Sequence, residues 1–455
     1  MIRKYARIKC MMGLLLAGLS FTGTAQESAI NQSNVPPCVR TKAGEVYEIG
    51  DHMTVKHIAR HQRYNSLDTA SYDVDINSPK SVNISPNGSK YYVNSLEGYR
   101  TVAYDVKTHK KVACVKHAFT DKDSLLWAKE SGLYEFTYEP SHKNTFSGKP
   151  VESTFSHGGR YLWVPYYRRS FDINAQDPSA IAVIDTEKDS IVRMFESGVL
   201  PKMVVASPDG RWLAVSHWGE NTVGLIDVSS DTVANWHYSN NFVIDYRLKL
   251  KFSRTTTVNR DVNSGYCLRG TVFTPDSRYL LVGCMGGDGG VAVIDLQNQM
   301  YIGRVFGMMS NLRHLVIQDG WLYLSINSGG YVQRIRLDIF LSAITNMKDK
   351  KAKVSDWETC KVAGGARTIS ISPDGRYVFA ACNSGNCLAV VETKEFKMVG
   401  SVPVDSYPVG LDISSDGSMV MVTSQGRDEK GGNSVNVYQI EYKDNAGEEK
   451  CDKQK

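Results

Sequence analysis

Residues 201–228 read PKMVVASPDGRWLAVSHWGENTVGLIDV: an apolar run, a Ser-Pro-Asp-Gly turn, an alternating run from Arg211 to Val215, a short polar loop, and a second alternating run from Val223 to Val228. Period-two runs of five or six residues separated by Gly, Asn and Asp are strands of a meander. The unit recurs. Its turn reappears as Ser85-Pro86-Asn87-Gly88, Ser156-His157-Gly158-Gly159, Thr274-Pro275-Asp276-Ser277, a shortened Gln318-Asp319-Gly320, Ser372-Pro373-Asp374-Gly375 and Ser414-Ser415-Asp416-Gly417. Seven units result, spaced by 71, 51, 67, 44, 54 and 42 residues, against roughly 40–50 for a minimal propeller blade. The excess reads as insertion rather than a second domain. A four-stranded meander is apolar on both faces and must pack against copies of itself, which radial closure satisfies. The expected fold is all-β: a seven-bladed β-propeller of four-stranded antiparallel blades.

The units, most clearly residues 201–228 and 367–391, resemble YVTN repeats of the YncE-type and lactonase-like propellers, over about residues 75–443. That resemblance implies the propeller fold. It leaves the chemistry open, because such propellers include binding modules, scaffolds and a few enzymes. The seventh unit ends after three strands, and the stretch within 45–55 (EVYEIGDHMTV) alternates like a strand without a unit of its own. It is expected to close the ring as the outer strand of the seventh blade. The resulting organisation is a leader at 1–25, an N-terminal segment at 26–74 with the closing strand, the propeller at 75–443 and a charged tail at 444–455.

The leader reading rests on Arg3, Lys4, Arg7 and Lys9, the apolar run 11–21 and the small residues Gly23-Thr24-Ala25, with cleavage expected before Gln26. The alternative is a buried first helix. Cleavage implies an exported protein, periplasmic or extracellular, with no transmembrane segment left. It would also leave 49 basic against 48 acidic residues, so a generally basic nucleic-acid binder is not expected. Hydrophobic residues at 42% and charged residues at 22% exclude wholesale disorder. Of the nine cysteines, Cys10 leaves with the leader. The eight others permit disulfides in an exported chain: Cys382 with Cys387 across a turn, and Cys38 with Cys451 if the ends meet. Buried free thiols are the competing reading.

The inner strand of a propeller blade lines the central channel, and its start shares a face with the loop between the second and third strands. Five residues before each aligned turn stand Lys80, Val151, Lys202, Arg269, Arg313, Arg367 and Val409. Five cations and no carboxylate at one ring position, in a chain almost neutral overall, point to an anionic ligand at the mouth. The competing structural reading has these side chains lying along neighbouring blades, paired with loop carboxylates. The second-to-third-strand loops add Tyr166, Tyr167, Arg168, Arg169, His217, Trp218, Met285, Asn327, Asn383 and Gln425. The long connections 117–150, 166–178, 237–266 and 425–433 fall on the same face, and 337–358 on the opposite one. Short helices are expected within 120–129 and 338–347.

No P-loop, Rossmann glycine pattern, His-Glu-x-x-His, Gly-x-Ser-x-Gly or Cys-x-x-Cys-His occurs. His57 and His61 have helical metal-ligand spacing but lie in an expected linker without a third ligand. No cofactor or metal is expected. The sequence therefore supports a binding module for an anionic or partly anionic glycan, cofactor or peptide, or for a partner protein. The ligand-binding set is Lys80, Lys202, Arg269, Arg313, Arg367, Tyr166, Tyr167, Arg168, His217, Trp218, Asn327 and Asn383. The alternatives are a lactonase-like hydrolase on the same face, as the resemblance implies, with Arg313, Arg367 or His217 polarising a carbonyl, and a scaffold gripping another protein.

Overall fold

The computed structural model describes residues 41–64, 70–137, 143–426 and 432–443. The leader, Cys10, Cys38, Cys451 and the charged tail lie outside them. The chain forms seven antiparallel blades in a ring. From blade 1 to blade 7 the inner strands are Pro79–Ile84, Thr154–Ser156, Pro201–Ala206, Leu268–Phe273, Leu312–Gln318, Ala366–Ile371 and Pro408–Ile413. They neighbour one another in cyclic order, with blade 1 against blade 7. Alternation explains the packing: each strand sends its apolar positions to both faces of its blade, and seven apolar clusters each bridge one pair of adjacent blades. Tyr377, Phe379 and Leu388 of blade 6, for example, meet Leu411, Val420 and Val422 of blade 7.

The repeated turn has a repeated hydrogen-bond design. In blade 6 the Ser372 hydroxyl donates to Asp374 Oδ1 at 2.5 Å and accepts from the Tyr377 N–H at 3.0 Å, while the Arg376 N–H donates to Asp374 Oδ1. Ser85, Ser207, Thr274 and Ser414 do the same with Asn87, Asp209, Asp276 and Asp416. Gly375 completes the turn at φ 72°, where a Cβ would be strained. Ser372→Ala is expected to cost about 1 kcal/mol, read as a lower urea midpoint with unchanged slope.

Ring closure occurs through the N-terminal chain, with a corrected register. The closing strand is Met53–Gln62, which pairs with Ser434–Tyr442 as the fourth strand of blade 7. The expected window 45–55 straddles a hairpin: it contains a fifth, outermost strand, Val46–Ile49, and only the start of the closing one. Gly50 and Asp51 form the turn between them. His57 and His61 therefore belong to a strand, not a linker. Both are buried, against Tyr438 and against Tyr91 and Tyr104 respectively. The closure is fastened by Asp405, which accepts from Arg60 at 3.0 Å to each oxygen and from Ser434 and Asn436.

Described parts of the insertions, Lys149, Arg168, Ile173, Thr257, Asp261 and Gln425 among them, line the mouth as expected, with adjusted ends. Residues 237–243 are strand rather than connection, because His237–Val243 is the outer strand of blade 3. A 3-10 helix, Asp121–Leu126, is capped by Thr120 and Asp123. On the opposite face, the helix Leu337–Thr345 leads to Lys351–Lys353, which adds in parallel to the outer strand of blade 4. Cys382 and Cys387 are directly opposed across their hairpin as free thiols.

Candidate functional site: a basic channel mouth

Six of the seven inner strands begin with the same backbone device. Two residues before the ring position, the chain takes a left-handed conformation at Ser78, Leu200, Cys267, Asn311, Gly365 and Tyr407, with φ from 49° to 82°. The strand pairing then skips register at Lys80, Lys202, Arg269, Arg313, Arg367 and Val409. Such a bulge re-aims its side chain, and here it turns the residue into the channel. Five of the six left-handed residues are not glycine, so each carries on the order of 1 kcal/mol or more of backbone strain. Neighbouring blades hold the bulges in place. Ser216 donates to the Arg269 carbonyl at 3.2 Å, Ser325 to that of Arg367 at 2.5 Å and Thr368 to that of Val409 at 2.6 Å.

The five basic side chains converge. All of them line one cavity of about 430 Å³ at the channel mouth, together with Tyr167, Arg168, Trp218, Arg260, Asp261, Lys149 and Gln425. Blades 3 to 6 contribute a contiguous arc, Lys202, Arg269, Arg313 and Arg367. Lys80 stands apart, with Val151 and Val409 at the ring positions on either side. Four of the five are nearly inaccessible, Lys80 at 5%, Lys202 at 7%, Arg269 at 4% and Arg367 at 6% exposure.

Among the described residues only Arg269 of the five forms an ion pair, to Glu152 at 3.0 Å. Glu97 is occupied by Lys149 and Arg260 by the carbonyls of Asn174, Ala175 and Gly219. Asp261 is the one lining carboxylate outside an ion pair. The Nε groups of Arg313 and Arg367 are buried without a hydrogen-bond partner. Positive charge in surplus opposes itself. Burial and then Arg367 push Arg313 down to about 9. Burial and then Arg269 push Lys202 down to about 7, and burial with Arg367 and Arg269 takes Lys80 well below the ordinary lysine range. The Lys202 ammonium position is also boxed by rings, 4.1 Å from the Tyr167 centroid and 4.9 Å from that of Trp218. Trp218 is itself held by a hydrogen bond from Nε1 to the Arg260 carbonyl.

Four residues of the expected set lie outside this lining. Tyr166 points into the core between blades 1 and 2 and donates to His117 Nδ1 at 2.8 Å, because the strand Tyr161–Arg169 continues through it. His217 is fully buried, accepting from the Gly198 N–H at Nε2 and bonding Thr222 Oγ1 at Nδ1. Asn327 braces backbone by donating to the Ala366 carbonyl, and Asn383 sits in a tight turn where its amide oxygen accepts from the Ser384 hydroxyl. Met285 and Arg169 are packed elsewhere: Met285 against the Trp218 and Cys267 cluster, and Arg169 over Phe136 and Phe146. Sequence reasoning missed Glu152, one residue after the ring position of blade 2, and Asp261, Thr257 and Val258 from the long connection that folds over the mouth.

Below the Glu152–Arg269 pair the channel opens into a second chamber of about 230 Å³, lined by Ser81, Asn83, His314, Thr368 and Asp412 among others. Burial raises the Asp412 carboxyl to about 7. No group of His, Cys, Asp and Glu suited to a metal occurs among the described residues, and no helix among them is long and apolar enough to cross a membrane.

This geometry defines a seven-bladed β-propeller with a basic channel mouth. Comparison with known proteins agrees on the fold. The sequence is 26% identical over 255 residues to hydrazine synthase subunit beta of Kuenenia stuttgartiensis, covering 47% of this chain and 59% of that protein. It is 23% identical over 257 residues to antigen Lp49 of Leptospira interrogans, covering 51% and 50%. The chain thus spans about half to three-fifths of the length of the curated relatives it matches. Among solved structures, Kuenenia stuttgartiensis hydrazine synthase superposes with a TM-score of 0.55 at 16% identity over 80% of this chain and 95% of that one. The β-propeller domain of Cps50 (Swd1) from Myceliophteria thermophila gives 0.54 at 12% identity over 80% and 96%. At such identities the likeness shows the fold alone. No family model matches the sequence.

Proposed function

We propose that this chain is an exported propeller of the YVTN-repeat kind that captures a small anionic ligand in its basic mouth. The observation that carries this reading is the convergence of Lys80, Lys202, Arg269, Arg313 and Arg367 on one cavity, with Arg269 the one of the five in an ion pair among the described residues. A charge-dense pocket with two buried guanidinium nitrogens lacking partners is left short of acceptors, and an anion supplies them. The volume of about 430 Å³ suits a small molecule or the end of a glycan or peptide. The arginine arc favours carboxylate or phosphate over a diffuse negative surface.

Each charge-assisted hydrogen bond contributes about 1.5–3 kcal/mol. The Arg313→Ala, Arg367→Ala double variant is therefore expected to weaken the binding of a captured anion by about 100-fold or more. Calorimetric titration of pyruvate, citrate and pyrophosphate into both proteins measures this, and equal affinities would remove the ring from the account. A partner protein at the same face is the second reading, favoured by the similarity to a protein named as a subunit of hydrazine synthase. A lactonase-like activity requires a carboxylate able to activate water. Glu97 and Glu152 are ion-paired here, so Asp261 is the lining carboxylate that reading has to use.

A further inference from the structure

Lys202, like Lys80, differs in its chemistry from the three arginines of the basic ring. A guanidinium cannot act as a nucleophile at neutral pH, whereas an amine that has lost its proton can. Lys202 is nine-tenths buried at the wall of the mouth cavity, and no carboxylate or hydrogen-bond acceptor among the described residues meets its ammonium. At the next ring position stands Arg269, followed around the arc by Arg313 and Arg367. The rings of Tyr167 and Trp218 wall the amine on the other side. Lys80 lacks this setting, because valines occupy both neighbouring ring positions.

We infer that Lys202 is an amine nucleophile that condenses with the carbonyl of a small 2-oxo acid whose carboxylate is held by the arginine arc of blades 4 to 6. The inference rests on the anionic-mouth reading and adds a covalent step to it. A 2-oxo acid fits because its carbonyl carbon is bonded directly to the carboxylate. An acid clamped by Arg269, Arg313 and Arg367 then presents that carbon beside blade 3, where Lys202 stands. The Nζ lone pair attacks the carbonyl carbon, the oxygen takes a proton from solvent, and the carbinolamine loses water. One C–N double bond forms, one C–O double bond breaks, and the product is an iminium that keeps the positive charge in place.

The charged neighbours set the protonation state. Arg269 and Arg367 disfavour the ammonium, Asp261 and Glu152 favour it, and burial is the largest effect, leaving Lys202 at about 7. Lys80, across the mouth, is disfavoured by the same cations and by Lys202 itself. The faces of Tyr167 and Trp218 favour the ammonium and offset part of that push. An ordinary lysine near 10.4 is only about one part in 2,500 amine at neutral pH, so Lys202 holds a far larger reactive fraction.

The test incubates the full chain with pyruvate or 2-oxoglutarate and sodium cyanoborohydride, and reads intact mass and the modified peptide. One adduct per chain is expected, with the mass of the acid less water plus two hydrogens. It should map to Lys202, form faster as pH rises through about 7, and vanish in Lys202→Arg. Peptide mapping in the wild type keeps the test independent of how well that variant folds. The 2-hydroxy analogues lactate and 2-hydroxyglutarate, titrated in parallel, separate two failures. If a hydroxy acid binds and its oxo partner leaves no adduct, the nucleophile falls and the anionic mouth stands. If neither kind of acid binds, the mouth reading falls with it. An adduct on Lys80, or spread over exposed lysines, overturns the assignment to Lys202.

Discussion

Glu152→Ala is expected to destabilise the protein by about 3–5 kcal/mol, and small anions are expected to reverse more of that loss than they add to the wild type. Among the described residues Glu152 is the one that ion-pairs with the basic ring, through Arg269 at 3.0 Å, and both side chains are almost wholly buried. Its removal leaves a buried guanidinium on a cavity already lined by Lys80, Lys202, Arg313 and Arg367. Breaking a buried pair costs far more than the pair contributes, since the remaining charge has lost both water and partner. Rescue follows from mass action: an anion that binds only the folded mouth stabilises by RT ln(1 + [L]/Kd). Urea unfolding of both proteins, with and without citrate, measures the two parts. A Glu152→Ala protein as stable as wild type would mean that the crowded cations are already relieved by solvent. The argument for a charge surplus would then fail.

The mouth was legible in the sequence to the extent that it follows from counting. The Ser-Pro-Asp-Gly turn and the alternation of Arg211–Val215 fix a register. Five residues back from each turn is then the same place in every blade, so counting alone groups Lys80, Lys202, Arg269, Arg313 and Arg367. One step further along the same column lies Glu152, the lone carboxylate at its position, and that signal was available and unread. The device that aims these residues was not available. Its left-handed positions are Ser, Leu, Cys, Asn, Gly and Tyr, with no common side chain, because the conformation is imposed by blade-to-blade packing rather than by local preference. The loop residues divide by how the chain leaves the second strand. Where an insertion follows, as after Tyr167 and Arg168, side chains lean over the channel. Where the loop is a tight turn, the amide is consumed within it, at Asn327 by the Ala366 carbonyl and at Asn383 by the Ser384 hydroxyl. Asp261 comes from a connection whose path depends on Arg260 gripping three distant carbonyls, which no periodicity announces. The closing strand was misplaced by several residues because Arg60, His61 and Gln62 look unlike a core strand. Arg60 and His61 are covered by Asp405 and Tyr91, partners remote in sequence, and Gln62 by Ser71 in the following connection.

A steep loss of stability on acidification is expected between about pH 6.5 and 4. Burial holds His61, His117 and His217 down to about 3 and His314 to about 4, and for the last three the hydrogen bonds show why the ring stays neutral. His217 Nε2 accepts the Gly198 N–H at 3.1 Å, and His314 Nδ1 accepts the Ile369 N–H at 3.3 Å. The Thr101 hydroxyl already donates to Asn94, so His117 donates to it from Nε2 and accepts from Tyr166 at Nδ1. A second proton on any of these rings would face a donor. Unfolded, the same histidines titrate near 6.5. Their folded values are depressed, so their contribution is complete above about 6.5 and drains away as pH falls toward the folded values. Asp412 acts in the opposite sense. Its folded value of about 7 stands above the unfolded one, so it stabilises below about 4 and loses that contribution as pH rises through 7. Near pH 5 it offsets one histidine, leaving a net uptake of about three protons on unfolding. Each is worth about 1.4 kcal/mol per pH unit, so the slope is about 4 kcal/mol per unit. Two units of acidification then consume about 8 kcal/mol, comparable with the whole stability of an ordinary domain. Urea midpoints measured from pH 8 to 4 give the slope directly. A slope near zero through pH 5 would show that these rings take up protons in the native state, and the neutral networks around His117 and His217 would have to be redrawn.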